Sequence, residues 1–254
     1  MTSPDKVGSI YLMNNYKTTA QLKGIAKEKS LGRYGTLIGA NLLILAIQIL
    51  VGAVTTVSSG GSIIIIIVNS IISIIVNILL GLLVSGKAYL YMNLLYSQNV
   101  ATSDIFYGLR QNSQKAVAIQ AVFVLVDFVV SLPAQIFLVM YIRSQAPEHM
   151  MLTVLAWSIG LFVDILVSLI YSQSFFLLHD FPDRSAKELL ATSRRLMRGN
   201  KFRLFYLNVS FIPLYILGAI ALFVPILWVS VYRYASTCAF YQDLIASAGQ
   251  QSEA

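Results

Sequence analysis

Residues 62–84 read SIIIIIVNSIISIIVNILLGLLV. The stretch carries no charge and does not alternate apolar with polar residues, as a membrane-spanning β-strand would over segments of about ten residues. It is long enough to cross roughly 30 Å of hydrocarbon as an α-helix. Similar runs recur along the chain. We read six spans, at 35–57, 62–86, 117–141, 151–177, 203–219 and 222–241. Pro213 and Pro225 interrupt the last two, so one long re-entrant segment is the alternative there. The whole chain of 254 residues is 57% hydrophobic and 11% charged, against about a quarter charged in a soluble domain. The expected class is all-α: a six-span transmembrane helical bundle forming a single integral membrane domain.

The distribution of basic residues sets the expected orientation. Lys6, Lys17, Lys23, Lys27, Lys29 and Arg33 precede the first span. Lys87, Arg110 and Lys115 follow the second, and seven more lie between Arg184 and Arg203. The opposite loops hold Arg143 alone. Both termini are therefore expected in the cytoplasm of a plasma membrane. The net charge of +7 belongs to one face, whose expected partner is the anionic inner leaflet rather than nucleic acid. A membrane-protein partner is also allowed for. No cleavable leader is read in the polar, basic segment that ends at Arg33. Cys238 is the sole cysteine, so no intrachain disulfide is expected.

Three segments, starting at Thr18, Thr102 and Ser185, begin at nearly equal intervals along the chain, and each precedes a pair of spans. That spacing suggests a threefold repeat of a short cytoplasmic helix plus a transmembrane hairpin, over about 18–98, 102–180 and 185–244. Ser185 with Glu188, and Thr18 with Gln21, have capping-box spacing. In the third copy Leu189, Leu190, Leu196 and Met197 share one helical face, and Lys187, Arg194, Arg195 and Arg198 the other. We expect an interfacial helix with its apolar side in the acyl boundary and those four basic residues on lipid headgroups. The plainer alternative is an inside loop whose charges merely fix topology.

The same region carries a family likeness. Ser193, Leu196, Met197 and Gly199 form a helix-ending turn that enters a span, and Tyr234, Phe240 and Tyr241 mark the last one. With these features the chain resembles the domain of unknown function 975 family of bacterial integral membrane proteins. The resemblance is carried by the C-terminal part, over 174–244. It implies a six-span bacterial membrane protein, with no activity attached. Where the family often has proline before the first tyrosine, this chain has Arg233.

No phosphate loop, H-E-x-x-H, C-x-x-C or G-x-S-x-G motif occurs. His149 and His179 fall at opposite ends of the spans, so no metal or other cofactor is expected. Enzyme is the least supported class.

Two phrases stand out: VDFVVSL at 126–132 and VDILVSL at 163–169. An ionised aspartate at mid-bilayer costs about 2.5–3.5 kcal/mol even on insertion scales. In an antiparallel hairpin Asp127 falls level with Ser168, and Ser131 with Asp164, which suggests reciprocal Asp–Ser hydrogen bonds. Such bonds average about 0.6 kcal/mol, too little to hold a charge. The carboxyls are then protonated, or a cation is near. Arg233 is that candidate, with snorkelling to the interface as its alternative. Two functional readings follow. The first is a non-catalytic accessory, assembly or peptide-handling factor gripping anionic lipid. The second is a small transporter or proton-coupled carrier working through Asp127 and Asp164, with Asn69, Asn77 and Asn208 as residues that could line a path. The sequence favours the first, and a polar cavity reaching the aspartates would favour the second.

Overall fold

The computed structural model describes residues 16–55 and 63–253. All regular structure among them is helical. Helix α1 is Thr19–Ser30, α2 Tyr34–Thr55 and α3 Ile63–Leu95. A 3-10 turn at Thr102–Phe106 leads into the four-residue α4, Tyr107–Arg110. Then follow α5 Ser113–Ser144, α6 Pro147–Tyr171, α7 Ser174–Asp180 and α8 Ala186–Leu196. The chain closes with α9 Lys201–Val209, α10 Ile212–Ile220 and α11 Val224–Glu253. Among the described residues five segments are long and apolar enough to cross a membrane: Tyr34–Ala53, Ile67–Leu95, Ser113–Ser144, Pro147–Asp180 and Lys201–Ile220. The expected sixth span lies in α11, which is long enough but diluted by Arg233 and its flanking tyrosines, serines and threonine.

The short helices form as their sequences dictate. Thr18 and Gln21 make a reciprocal capping box at the start of α1, and Ser185 and Glu188 do the same for α8. At the 3-10 turn the Ala101 N–H donates to the Asp104 carboxylate at 2.9 Å. These elements and the adjoining helix ends make one end of the bundle, here called the basic end. The α5–α6 turn marks the opposite, hairpin end.

The core sits at the basic end. Leu22, Leu37, Tyr91, Leu94, Ile105, Phe176, Leu189, Leu204, Phe240 and Tyr241 are all fully or almost fully buried there. Backbone approaches are close: a Cβ on Gly86 would lie 1.8 Å from the Ile105 carbonyl oxygen. This packing extends α3 to Leu95, beyond the expected end at 86, so Lys87 lies inside a helix rather than in a loop. Toward the hairpin end, Ile64, Ile71, Leu125, Val129, Trp157 and Phe162 are exposed, as the faces of membrane helices are.

Helix register reveals unequal heights. Tyr91 of α3 meets Tyr234 of α11 with ring centroids 4.7 Å apart, and Tyr96 bonds Gln242 one to two turns further on, so the two helices run the same way. Val224, where α11 begins, is ten residues or about 15 Å above the tyrosine contact, whereas Ile63 is 28 residues or about 42 Å above it. The hairpin made by α9, α10 and α11 therefore stops about 27 Å short of the far end of α3. Leu222 and Phe223, in the left-handed region at φ 59° and 65°, make its tight turn.

Candidate functional site

Between α2, α3 and α5 lies a cleft of about 950 Å³. Its lining is unusually polar for this setting. Helix α2 contributes Gln48; α3 contributes Asn69, Ser70, Ser73 and Asn77; α5 contributes Gln120, Asp127, Ser131 and Gln135. On α3 Asn69, Ser73 and Asn77 recur every four residues, and on α5 Asp127, Ser131 and Gln135 do the same with Gln120 two turns before them, so each set lies on one helical face. From Gln120 to Gln135 the stripe runs about 22 Å along α5. Toward the basic end, α3 and α5 close on each other where Gly81 meets Gln120: a Cβ on the glycine would lie 2.3 Å from the Cβ of Gln120.

Four of these polar groups, Ser73, Asn77, Ser131 and Gln135, bond within their own helices. The Asn77 amide donates to the Ser73 carbonyl at 2.8 Å, Ser131 donates to the Phe128 carbonyl at 3.1 Å, and Gln135 donates to the Ser131 hydroxyl at 3.0 Å. The aspartates differ. The Asp127 and Asp164 carboxyls, from α5 and α6, are neighbours across the hairpin. No hydroxyl, amide or cation among the described residues bonds either group. Asp127 is exposed along the cleft wall and Asp164 stands behind it, partly covered.

The structure thus corrects the expected pairing. Ser131 is occupied within α5, and Ser168 points out from the hairpin, so the reciprocal Asp–Ser bonds do not form. Arg233 does not reach Asp127 either. Its Nε donates to the Tyr215 hydroxyl at 3.1 Å and its Nη1 to the Asn208 amide oxygen at 3.2 Å. Tyr215 and Asn208 belong to α10 and α9, so the side chain lies along the surface of that hairpin, where it stays exposed. Asn208 belongs to this cluster, not to the cleft.

The amphipathic helix is corrected in part. Lys187, Arg194, Arg195 and Arg198 are exposed as expected. The opposite face is not free for acyl chains: Leu189 and Met197 are completely buried in the protein core, with Leu190 and Leu196 packed against it. Glu188 is held below the usual carboxylate range by its bonds to the Ser185 backbone and hydroxyl. Lys23, in α1, is lowered by desolvation and lies over the Phe211 ring at 4.1 Å.

Sequence reading missed two structural groups. Where α6 gives way to α7, the Ile170 carbonyl accepts from the Ser193 hydroxyl at 3.0 Å, and that hydroxyl accepts from the Gln173 N–H at 3.3 Å. Ser193 therefore satisfies the backbone of the break. Gly199, at φ 84°, then turns the chain into α9. Second, the buried Asp243 carboxylate accepts from Arg203 at 2.8 Å and lies 3.6 Å from the Lys17 ammonium. Arg203 also donates to the Lys17 carbonyl and covers the Tyr16 ring at 4.0 Å.

The motif residues of the third segment are thus pins of the basic-end core. Tyr234 packs on Phe176 and Tyr91, and the Tyr241 hydroxyl donates to Asp180 at 2.5 Å. The model of a family described as protein of unknown function DUF975 matches residues 13–248. The chain belongs to that family. Its match runs far beyond the C-terminal part, taking in the cleft, the aspartates and α1. No curated protein and no solved structure matches the chain. Among the described residues no group of three or more His, Cys, Asp or Glu side chains could hold a metal ion.

Proposed function

We propose that this family member is a small carrier that takes a cationic solute, or a solute exchanged for protons, into the cleft between α2, α3 and α5. One observation carries the reading: a polar stripe of about 22 Å, about as long as most of a bilayer core, carries the Asp127 carboxyl midway along it, with Asp164 on the adjoining α6. Hydrocarbon would make such a lining costly if it were not wetted or occupied. Asp127 is the group that meets solute, and Asp164 is its acidic neighbour on the next helix. No catalytic residue is assigned. We further assign the basic end to the cytoplasm of a bacterial plasma membrane, on the distribution of lysine and arginine. The six-segment, three-unit plan is supported by the capping boxes that open α1 and α8.

The test is reconstitution into liposomes loaded with a pH-sensitive dye, using guanidinium, methylammonium and sodium as probes. At least one is expected to drive proton movement, and Asp127→Asn and Asp164→Asn each to abolish it. Their midpoints should remain within about 4 °C of the wild type. Proton movement that survives both substitutions would refute the carrier.

A second reading is a non-catalytic accessory factor that grips anionic lipid, or a membrane-protein partner, through α8. It is favoured by a surface hollow of about 420 Å³ between Arg184, Glu188, Thr192 and Arg195. Replacing Arg194, Arg195 and Arg198 by glutamine separates the two, since it should spare proton movement while weakening attachment to anionic vesicles.

A further inference from the structure

Lys87 and Arg233 form a second charged cluster, remote from the cleft. The Lys87 ammonium lies over the Tyr234 ring at 4.6 Å and has no hydrogen bond or ion pair among the described residues. Arg233 is the residue next to Tyr234 in α11, so the ring contact brings the Lys87 ammonium to the segment that carries it. Arg233 has two partners, Tyr215 and Asn208, and both are neutral. Two cations thus share one place with no carboxylate among the described residues to balance them. The donors left over are the three Lys87 N–H groups, the Arg233 Nη2 and the Tyr215 O–H, whose oxygen already accepts from Arg233. A ligand there has only to accept, and must be negative.

Its depth identifies the source. Lys115 and Arg143 of α5 are 28 residues apart, about 42 Å along the helix, which is the thickness of a bilayer with its headgroups. The contact of Gly81 with Gln120 puts Lys115 level with the Lys87 region of α3. Lys87 and Arg233 are therefore at the headgroup plane, and the short α9–α11 hairpin dips from that plane into the apolar layer. Arg233 is on the outside of the bundle, flanked on α10 by exposed Ile212 and Ile216. An acyl chain can lie along those residues while its headgroup meets the cations.

We propose that Lys87, Arg233 and Tyr215 bind the phosphate of an anionic phospholipid, held between α3 and the α9–α11 hairpin. The proposal is independent of the carrier reading. It is distinct from the basic face of α8, whose arginines are on the surface of a different element.

Purified full-length protein is titrated with phosphatidylglycerol and with phosphatidylcholine of the same chains, and bound lipid is counted by native mass spectrometry. Wild type should retain phosphatidylglycerol selectively. Lys87→Gln with Arg233→Gln should weaken that retention by about thirtyfold, two charges each removing the increment usual for a basic residue at an anionic surface. Arg233→Lys should keep most of it, and the triple substitution of Arg194, Arg195 and Arg198 should leave the tightest lipid in place. Equal retention of the two lipids by wild type would overturn the proposal, even if the double variant does not fold. So would loss of selectivity in the triple variant but not in the double. Protection of the protein by inorganic phosphate alone, to the same extent as by phosphatidylglycerol, would overturn the lipid as the source of the anion.

Discussion

The two ends of this bundle obey opposite rules. At the basic end, short and long elements meet in a buried core, and polar side chains are paired across helices: Asp243 with Arg203 and Lys17, Tyr241 with Asp180, Ser193 with the α6–α7 break. Toward the hairpin end, fewer helices remain, polar side chains bond mainly within their own helix, and a cleft stands between them. Cross-helix pairing fixes geometry, because each partner loses its bond if the other moves. Intrahelical bonding leaves the helices able to shift against each other. The difference separates a region that specifies the fold from one whose helices are held less tightly to each other.

The sharpest way to break the comparison is Gly86→Ala. A methyl group would meet the Ile105 carbonyl, which is backbone and cannot swing aside. The expected loss exceeds the about 1–3 kcal/mol of an ordinary overpacked side chain. The control is Gly52→Ala beside the cleft, where nothing lies within 4 Å of the added Cβ; it should leave the melting midpoint unchanged or raise it. Equal losses at the two positions would erase the distinction between the ends.

Next in size is Asp243→Asn, which strips the acid from Arg203 and Lys17. Removing one partner of a buried ion pair costs about 3–5 kcal/mol, and because Arg203 remains partly exposed we expect about 3 kcal/mol, read by thermal unfolding in detergent. Ser193→Ala should cost about 1–3 kcal/mol by leaving a buried carbonyl and N–H without partners, and hydrogen exchange should quicken around Ile170 and Gln173. At the other end, Asn77→Ala removes bonds confined to one helix, and a change below about 1 kcal/mol is expected.

The smallest effect is a pH dependence of α8. Glu188 has its folded pKa lowered by the bonds it makes to Ser185. Its contribution is therefore complete above the ordinary carboxylate range and is lost as pH falls through the lowered folded value. Acid should loosen exchange protection of the first turn of α8, and Glu188→Gln should remove that sensitivity without touching the cleft.

Much of this was legible in the sequence. Uncharged runs such as 63–84 announced the helices, and Thr18 with Gln21 and Ser185 with Glu188 announced two helix starts. The aspartates were legible as a pair, but not in their partner, since equal depth does not fix which faces of α5 and α6 meet. Their hairpin brings carboxyl to carboxyl and leaves Ser168 outside. The cleft had a readable signal: Asn69, Ser73 and Asn77 at intervals of four, and Gln120, Asp127, Ser131 and Gln135 on one helical face. What could not be read is that the two stripes face each other. Nor could the Asp243 network, whose members are 40 and 226 residues apart, or the reduced height of the last hairpin, which depends on where α11 docks rather than on its length.

Asp243 also sets a clock. The chain emerges from its N-terminus, so Lys17 and the helix it precedes are finished while their acid partner is still 226 residues from being made. Helix α1 must wait through the synthesis of the helices up to α11. The basic end can latch shut only once the last helix has emerged. A nascent chain arrested before Asp243 would carry Arg203 and Lys17 unlatched, so the clasp closes only after α11 has been made. Protease accessibility of α1 on stalled ribosomes, falling abruptly when arrest is moved past α11, would time that latch directly.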